Sequence, residues 1–438
     1  MQVMIAPPPL VVPDEALGVD ALEELVLAWG REVMRQALGE AWEAQAARRP
    51  VPPCAGCGEA ATRPVGCKAR KLETQFGPVW LRRRRVRCPG CGRHRQPDDA
   101  VLAVALGRGR LTPGLRDLIA WHGAGWPYRQ AATALGRLRG APLAPETVRA
   151  VVAQVGAAVA VRQHAEAVAA CRPPATAPIP TGRTPARLDV ALDGGWVRSH
   201  DTADGMEAKV AVVHTGHERI GRTRTRLTNR RIAATFGGVA TFRPLVTAAV
   251  EGLDGYACPE QTLLGDGAPW IWTTGREVLA DATPVLDRWH LSDARRRAVR
   301  RAVPETAERA AWTTRIEACL DRGDVPGTLA VLAELTAALE QADRGVPATL
   351  TAFVTYVTEQ APQIPDYAAR RLAGQPVGSG TVEKGVDLVV NRRLKGRRGM
   401  KWGRDRAEAV LALRVAALND EWDRLVGSAC GHSHLPAF

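Results

Sequence analysis

The sequence predicts a multidomain α/β protein in which a strand-and-helix domain with an all-helical insertion follows a small cysteine-bearing domain and a helical one. Three observations carry this reading. From residue 187 onward, short apolar runs alternate with helical patterns, and several of the runs end in a carboxylate. Residues 293–372 have helical spacing throughout. Ahead of both stand two pairs of closely spaced cysteines, Cys54/Cys57 and Cys88/Cys91. The 438 residues are enough for several domains, and a net charge of +13 with a pI near 9.8 favours a polyanionic partner. No apolar run reaches the length of a bilayer span. The N-terminal stretch lacks a basic segment and is broken by prolines, which predicts no secretory signal and a cytoplasmic, nucleoid-associated protein. An odd count of nine cysteines in such a setting points to metal rather than disulfides.

Residues 1–50 are read as a helical segment. Leu17, Leu22, Leu25, Val26, Trp29, Val33, Met34, Leu38 and Trp42 approximate a helical stripe suited to packing or self-association. Residues 51–110 are read as a zinc ribbon. Each CxxC pair carries a glycine near its turn, so that two thiolates converge on one tetrahedral ion, and a Gly77-Pro78 turn between strand-like runs brings Cys88 and Cys91 back to Cys54 and Cys57. Cys67 and His94 rank below these four as ligands, and a redox role for the pairs is the alternative. Thirteen Lys/Arg stand against four Asp/Glu between Val51 and Arg110. Arg82, Arg83, Arg84 and Arg85 therefore suit DNA phosphates, or else a solvated face.

Residues 111–170 are read as a helix-turn-helix-like unit, or an ordinary helical bundle. Thr112 and Pro113 open the first helix as N-cap and first helical position. The third helix opens on Glu146-Thr147-Val148-Arg149, giving Thr147, Arg149 and Gln154 as groove contacts. Residues 171–186 form a proline-rich linker.

Residues 187–292 begin the sheet. Arg187 to Val197 alternates as a strand with Asp193 near its end, and Glu207 to His214 is a second strand. Phe242 to Val250 is helical. Gln261 onward is a buried strand delivering Asp266, and the run from Ala282 is a strand ending in Asp287-x-x-His290. The insertion, residues 293–372, opens with Arg295, Arg296 and Arg297. Residues 373–425 complete the domain, and residues 426–438 are a tail. In this second part Gly378-Ser379-Gly380 leads into a helix, with Ser379 or Thr381 as N-cap and Glu383 in its first turn. Val382, Val386, Val389 and Val390 recur at helical spacing and predict one buried face. A basic run follows at once, including Arg392, Arg393, Lys395, Arg397, Arg398 and Lys401.

Asp193 in its DGGW setting, Asp266 in GDGAPW and Glu383 in GSGTVEKG, together with Asp287-Arg-Trp-His290, resemble the DDE transposases with an RNase H-like fold. The sequence is similar to the ISKra group of insertion-sequence transposases over nearly the whole chain, including the CxxC ribbon, the helical unit with Tyr128, and the segment Arg392-Arg393-Leu394-Lys395…Gly399-Met400-Lys401-Trp402. The Asp-x-x-His element also resembles Mutator-like and hAT-like enzymes, in which a helical insertion separates the second Asp from the Glu. The resemblance implies an RNase H-like catalytic domain and a transposase acting on double-stranded DNA, both the element's terminal inverted repeats and its target. It implies hydrolysis that frees a 3′-OH, followed by attack of that 3′-OH on target DNA. Two ends must be joined, so a homodimer or larger assembly on DNA is expected.

In-line attack at a phosphodiester builds charge on the incoming and leaving oxygens, which two divalent ions can stabilise. Hard cations want carboxylate oxygens. Asp193 is assigned as the shared ligand, with Asp266 and Glu383 each supporting one ion. Mg²⁺ is expected, with Mn²⁺ as a substitute and Zn²⁺ structural. His290 orients a phosphate or serves the leaving group, or is a packed histidine, and Asp287 orients His290 rather than binding metal. Asp189 could replace Asp193, and Asp387 could replace Glu383. Arg295 to Arg297 and the run after Glu383 would line a DNA channel. Trp270, Trp272, Trp289 and Trp402 are core residues, or one of them stacks on an unpaired base. The alternative functions are an idle DNA-binding relative of a transposase and an RNase H-like nuclease.

Overall fold

The computed structural model describes residues 6–106, 109–171, 185–222, 225–396 and 399–431. Residues 172–184 of the proline-rich linker, Arg397, Arg398 and residues 432–438 of the tail lie outside them. The chain is a mixed α/β protein that divides into two compact units, residues 1–159 with 420–438, and residues 160–419. No helix among the described residues is long and apolar enough to cross a membrane.

The first unit begins with helix α1 (Val19–Arg48), followed by a hairpin of β1 (Arg63–Thr74) and β2 (Gly77–Arg87) that is joined by the short β3 (His94–Arg95). The hairpin turn falls at Gln75-Phe76, two residues earlier than the Gly-Pro pair suggested, because Thr74 pairs with Gly77 and its hydroxyl donates to the Gly77 carbonyl at 2.7 Å. Gly77 has φ +102°, a left-handed value that glycine adopts without Cβ strain, so it closes the turn and opens the second strand. Helix α2 (Asp99–Leu106), which the sequence reading missed, supplies Leu102 and Leu106 to a core with Leu72, Val79 and Leu81. The half-buried Leu38 and Trp42 of α1 pack against that core. Three helices follow: α3 (Pro113–Gly125), α4 (Tyr128–Arg139) and α5 (Pro145–Ala170). Thr112 is the N-cap of α3 as expected, without a side-chain capping bond. The chain returns to this unit at its end. Trp422 donates to Asp117 of α3 at 2.8 Å and meets Trp121 edge-on at 4.8 Å.

The second unit is built on a five-stranded sheet of β4 (Arg187–Val197), β5 (Met206–Arg219), β6 (Thr225–Thr235), β7 (Glu260–Gly265) and β8 (Thr283–Leu286), in the order β6-β5-β4-β7-β8. β4, β5 and β6 pair antiparallel, whereas β7 and β8 run parallel to β4. The sequence reading did not anticipate β6. This outer strand carries Arg226, Asn229, Arg230 and Arg231 in its first half and is buried only from Ile232 on, so charge at the edge masks the apolar signal of a strand. Helices α6 (Val239–Glu251) and α7 (Pro269–Val278) connect the strands.

A helical layer then interrupts the sheet domain, as expected: α8 (Arg288–Ala302), α9 (Thr306–Asp321), α10 (Val325–Gln341), α11 (Ala348–Glu359) and α12 (Tyr367–Leu372). The Asp287-x-x-His290 element stands at the start of α8 rather than at the end of a strand. β8 stops at Leu286, and Asp287 caps the helix by accepting from the Trp289 and His290 amides. The chain regains the sheet through α13 (Gly380–Val386), which continues through a π turn over Asp387–Asn391 into α14 (Arg392–Leu394), and ends the unit with the largely buried α15 (Arg404–Leu418).

Candidate functional site

Two groups of ligand-type side chains stand out. The first is the cysteine set. Cys54 and Cys91 lie 3.7 Å apart at sulfur, Cys57 and Cys88 lie 3.5 Å apart, and all four sulfurs are mutually within 4.8 Å. A tetrahedral zinc with bonds of about 2.3 Å would place its thiolates about 3.8 Å apart, so the cluster could hold a structural zinc. The loops agree with that role. The amides of Cys57 and Gly58 donate to the Cys54 carbonyl, and the Gly92 amide donates to that of Cys88. Hydrogen bonding from the Gly56 amide is the main cause lowering the Cys54 thiol to about 6, while the Cys57 thiol, despite a backbone bond from Glu59 that lowers it, is pushed up to about 12 by the neighbouring sulfurs. Cys67 is exposed on β1, and His94 on β3 pairs with Arg87, so neither belongs to the cluster.

The second group gathers at the carboxyl edge of the parallel strands. The β4–β7 register pairs Ala191 with Leu264, and the β7–β8 register pairs Gly265 with Leu286. Continued for two residues and one residue, it aligns Asp193 of β4 in a row with Asp266 and Asp287, which lie just past the ends of β7 and β8. Such edges are where sheets of this kind place their sites. Burial is the main cause pushing the Asp193 carboxyl up to about 6, and the charges of Asp266 and Glu383 push in the same direction. Its Oδ1 accepts from the Gly194 amide at 2.7 Å, and Asp266 Oδ1 accepts from the Ala268 amide at 2.9 Å.

Glu383 reaches this edge because α13 lies directly on the sheet. Side chains alternate along a strand, so Asp193 and Gly195 share a face. A Cβ on Gly195 would come within 3.1 Å of Val386, and one on Gly385 within 2.5 Å of Val212. These two glycines let helix and strands approach without an intervening side chain. Val382, Val386, Val389 and Val390 are buried in that contact, as their spacing predicts.

Asp287 ties the site together without facing solvent. It is 1% exposed, and both its oxygens are engaged. Oδ1 accepts the amides of Trp289 and His290, while Oδ2 accepts the amide and hydroxyl of Ser379. Ser379 sits at the N-cap position of α13, yet its hydroxyl bonds Asp287 instead of its own helix. One buried carboxylate thus joins the start of α8 to the start of α13. Burial opposes its charge, but the bonds from His290 and Ser379 prevail and hold its carboxyl below the usual carboxylate range. His290 Nδ1 lies 3.5 Å from Asp287 Oδ1, and that carboxylate is the main cause raising the imidazole above its ordinary value, with Asp266 and Asp193 acting in the same sense. One oxygen or nitrogen from each of Asp287, His290 and Glu383 falls within a 4.8 Å set.

The two alternatives separate. Asp387 is held at 3.1 Å by both Lys384 and Arg392, which lower its carboxyl, whereas Glu383 joins the acidic group. Asp189 is 2% exposed and pairs with Arg187 at 3.0 Å, four residues back along β4 from Asp193.

The arginines also divide. Arg83 and Arg84 pair with Asp99 and the fully buried Asp98, Arg295 with Glu317, and Arg393 is buried over the Trp402 ring. These four brace the fold rather than presenting charge to a phosphate. Arg82, Arg85, Arg149, Arg296, Arg297, Arg392, Lys395 and Lys401 remain exposed, with Arg296 and Arg297 on Asp293, and Thr147 is half-buried. Burial lowers Lys395, and the Asp193 charge raises it, which puts this lysine in the field of the acidic group. Trp272 and Trp402 are buried, and Trp270 packs edge-on against Phe242, while Trp289 is 60% exposed. The sequence reading missed Asp98, whose signal is the Asp98-Asp99 pair that follows the four-arginine run. It also missed the link from Ser379 to Asp287, for which the sequence carries no signal.

The family model described as "Uncharacterised protein family (UPF0236)" matches residues 66–426. A curated relative, "UPF0236 protein in vanSb 3'region" from Streptococcus gallolyticus, is 26% identical over 170 residues, which make up 39% of this chain and 34% of the relative. The chain spans about a third of the length of that relative.

Proposed function

This chain belongs to the UPF0236 family, and from its acidic site we propose that it is a DNA transposase that cleaves phosphodiesters at element ends and joins the freed 3′-OH to target DNA. One observation carries the reading: the strand register that aligns Asp193 with Asp266 at the edge of a mixed sheet, to which α13 brings Glu383. Carboxylates that repel one another are relieved by divalent cations, and the donors are the hard oxygens that Mg²⁺ or Mn²⁺ prefers. Asp193, Asp266 and Glu383 would hold the ions. When bound, they supply Lewis-acid stabilisation to the attacking and leaving oxygens of an in-line displacement. A mixed sheet interrupted by a helical layer before the Glu helix is consistent with an RNase H-like core.

The chain's own groups have separate tasks in this reading. Asp287 raises the His290 imidazole above its ordinary value and orients it, so that it would face a phosphate oxygen beside the carboxylates. Lys395 adds a second positive charge near Asp193. Arg296, Arg297, Arg392 and Lys401 neutralise the backbone of the DNA leading to the site. The cysteine hairpin and the α3–α5 helices, with Arg82, Arg85 and Arg149, bind the element end. The test is strand transfer with purified protein, Mg²⁺ or Mn²⁺, and pre-cleaved DNA ends taken from the inverted repeats beside its gene. Joined product is expected from the wild type and not from Asp266→Asn or Glu383→Gln. No joining by the wild type, or equal joining by Asp266→Asn, overturns the proposal.

A further inference from the structure

Asp266 sits in a three-residue loop, and a loop alone would hold its carboxylate poorly. α11 of the helical layer reaches over it. Tyr356 donates its hydroxyl to the Asp266 carbonyl at 2.7 Å, and Gln360 donates its amide to the Gly267 carbonyl at 3.2 Å. Trp272, 6% exposed, donates to the other end of the Gln360 amide at 2.8 Å, which fixes which way that side chain points. Gly267 has φ +103°, and a Cβ there would come within 3.0 Å of the Tyr356 ring, so the GDG sequence suits both the loop's path and the ring's approach. The same tyrosine borders a cleft of about 340 Å³ together with Asp266, His290, Arg297 and Phe353.

We infer that Tyr356 and Gln360 are positioning residues for Asp266, so that the helical layer sets the geometry of the acidic site through two backbone carbonyls. The contacts stand by themselves; their use in ion binding rests on the proposed function. A carboxylate ligand must be held to about 0.5 Å to be effective, and loss of such supporting bonds typically weakens metal affinity 10- to 100-fold. Neither residue touches a reacting group.

The experiment compares the wild-type chain with Tyr356→Phe, Gln360→Ala and Phe353→Leu. The last variant disturbs α11 packing without touching the loop. Amide hydrogen exchange over residues 266–268 and the shift of melting temperature with Mn²⁺ concentration are read in parallel. Exchange is expected to quicken at least tenfold in Tyr356→Phe and Gln360→Ala, and to stay at the wild-type rate in Phe353→Leu. The Mn²⁺ concentration giving half the shift should rise 10- to 100-fold in the same two variants alone. Unchanged exchange in both, or equal change in Phe353→Leu, overturns the inference. Faster exchange in the two variants beside a wild type indifferent to Mn²⁺ supports the positioning role and instead removes metal binding from the proposed function.

Discussion

The cysteine hairpin and the acidic edge are both groups of four or five ligand-type side chains, but they are assembled in opposite ways. The hairpin collects its sulfurs from two short loops at the ends of one antiparallel pair, and each loop is shaped by its own backbone hydrogen bonds. The acidic edge collects its groups from β4, the loop after β7, α8 and α13, spread from residue 193 to 383. Its geometry is held by a saturated buried carboxylate and by glycines that let a helix touch a sheet. A centre of the first kind would depend on a bound ion for cohesion. A centre of the second kind is framed by a fold that stands without one, and its ions would serve chemistry. Removing ligands should therefore unfold the one and merely silence the other.

The largest effect expected from this contrast is at the hairpin. The double variant Cys54→Ser/Cys88→Ser should lose bound zinc by elemental analysis and expose the residue 51–98 segment to protease. Structural zinc in small domains contributes on the order of 10 kcal/mol. Full zinc in that variant breaks the comparison. Next comes Asp266→Asn, which under the proposed function should lower strand-transfer rate about a thousandfold, equivalent to about 4 kcal/mol of barrier, while circular dichroism and melting stay near wild type. Unfolding on this change would place the acidic edge in the same class as the hairpin.

Asp287→Asn is smaller and mixed. It should cost about 1–3 kcal/mol in denaturant unfolding, since the amide cannot accept all four hydrogen bonds. It should also lower the His290 pKa towards its ordinary value, seen by NMR titration, because the partner that raises it is gone. Gly385→Ala should cost about 1–3 kcal/mol by crowding Val212. A neutral result would mean that α13 does not rest on the sheet as closely as described.

The smallest effect is a pH dependence in the cysteine-bearing unit. Burial opposes the charge of Asp98, but Arg84 outweighs it and lowers the carboxyl. A depressed acid contributes stability above its unfolded value, and that contribution is lost as pH falls through the folded value. Wild type should therefore lose stability below about pH 4, near the unfolded aspartate value, more steeply than Asp98→Asn. Parallel melting curves would remove that ion pair from the account.

The same contrast explains what could be read from the residues alone. CxxC spacing specifies a local shape, so all four cysteines were legible without any tertiary information. The helical layer and the buried valines after Glu383 were legible for the same reason, since period and spacing are local. Asp193, Asp266 and Glu383 were picked from their motifs and order, but only the register of β4, β7 and β8 aligns the row with Asp287, and only Gly195 and Gly385 explain how α13 gets there. Choosing Glu383 over Asp387 required the ion pairs from Lys384 and Arg392. The arginines were the weakest reading. A run of four looks uniformly available in sequence, yet its two middle members, Arg83 and Arg84, turn to Asp99 and Asp98. Tyr356 and Gln360 left no signal, because each acts through a backbone carbonyl that every residue carries.

The return of Trp422 to Asp117 and Trp121 has a consequence for how the molecule comes into being. The first unit is closed by residues that follow the whole of the second unit along the chain. During synthesis the cysteine hairpin and α3–α5 emerge first but lack Trp422, their later packing partner, until the second unit has been made. Domains ordinarily fold in the order they are made. Here the second unit is complete while the first still waits, so a message cut short before residue 420 would yield a finished sheet domain beside an unfinished cysteine-bearing one.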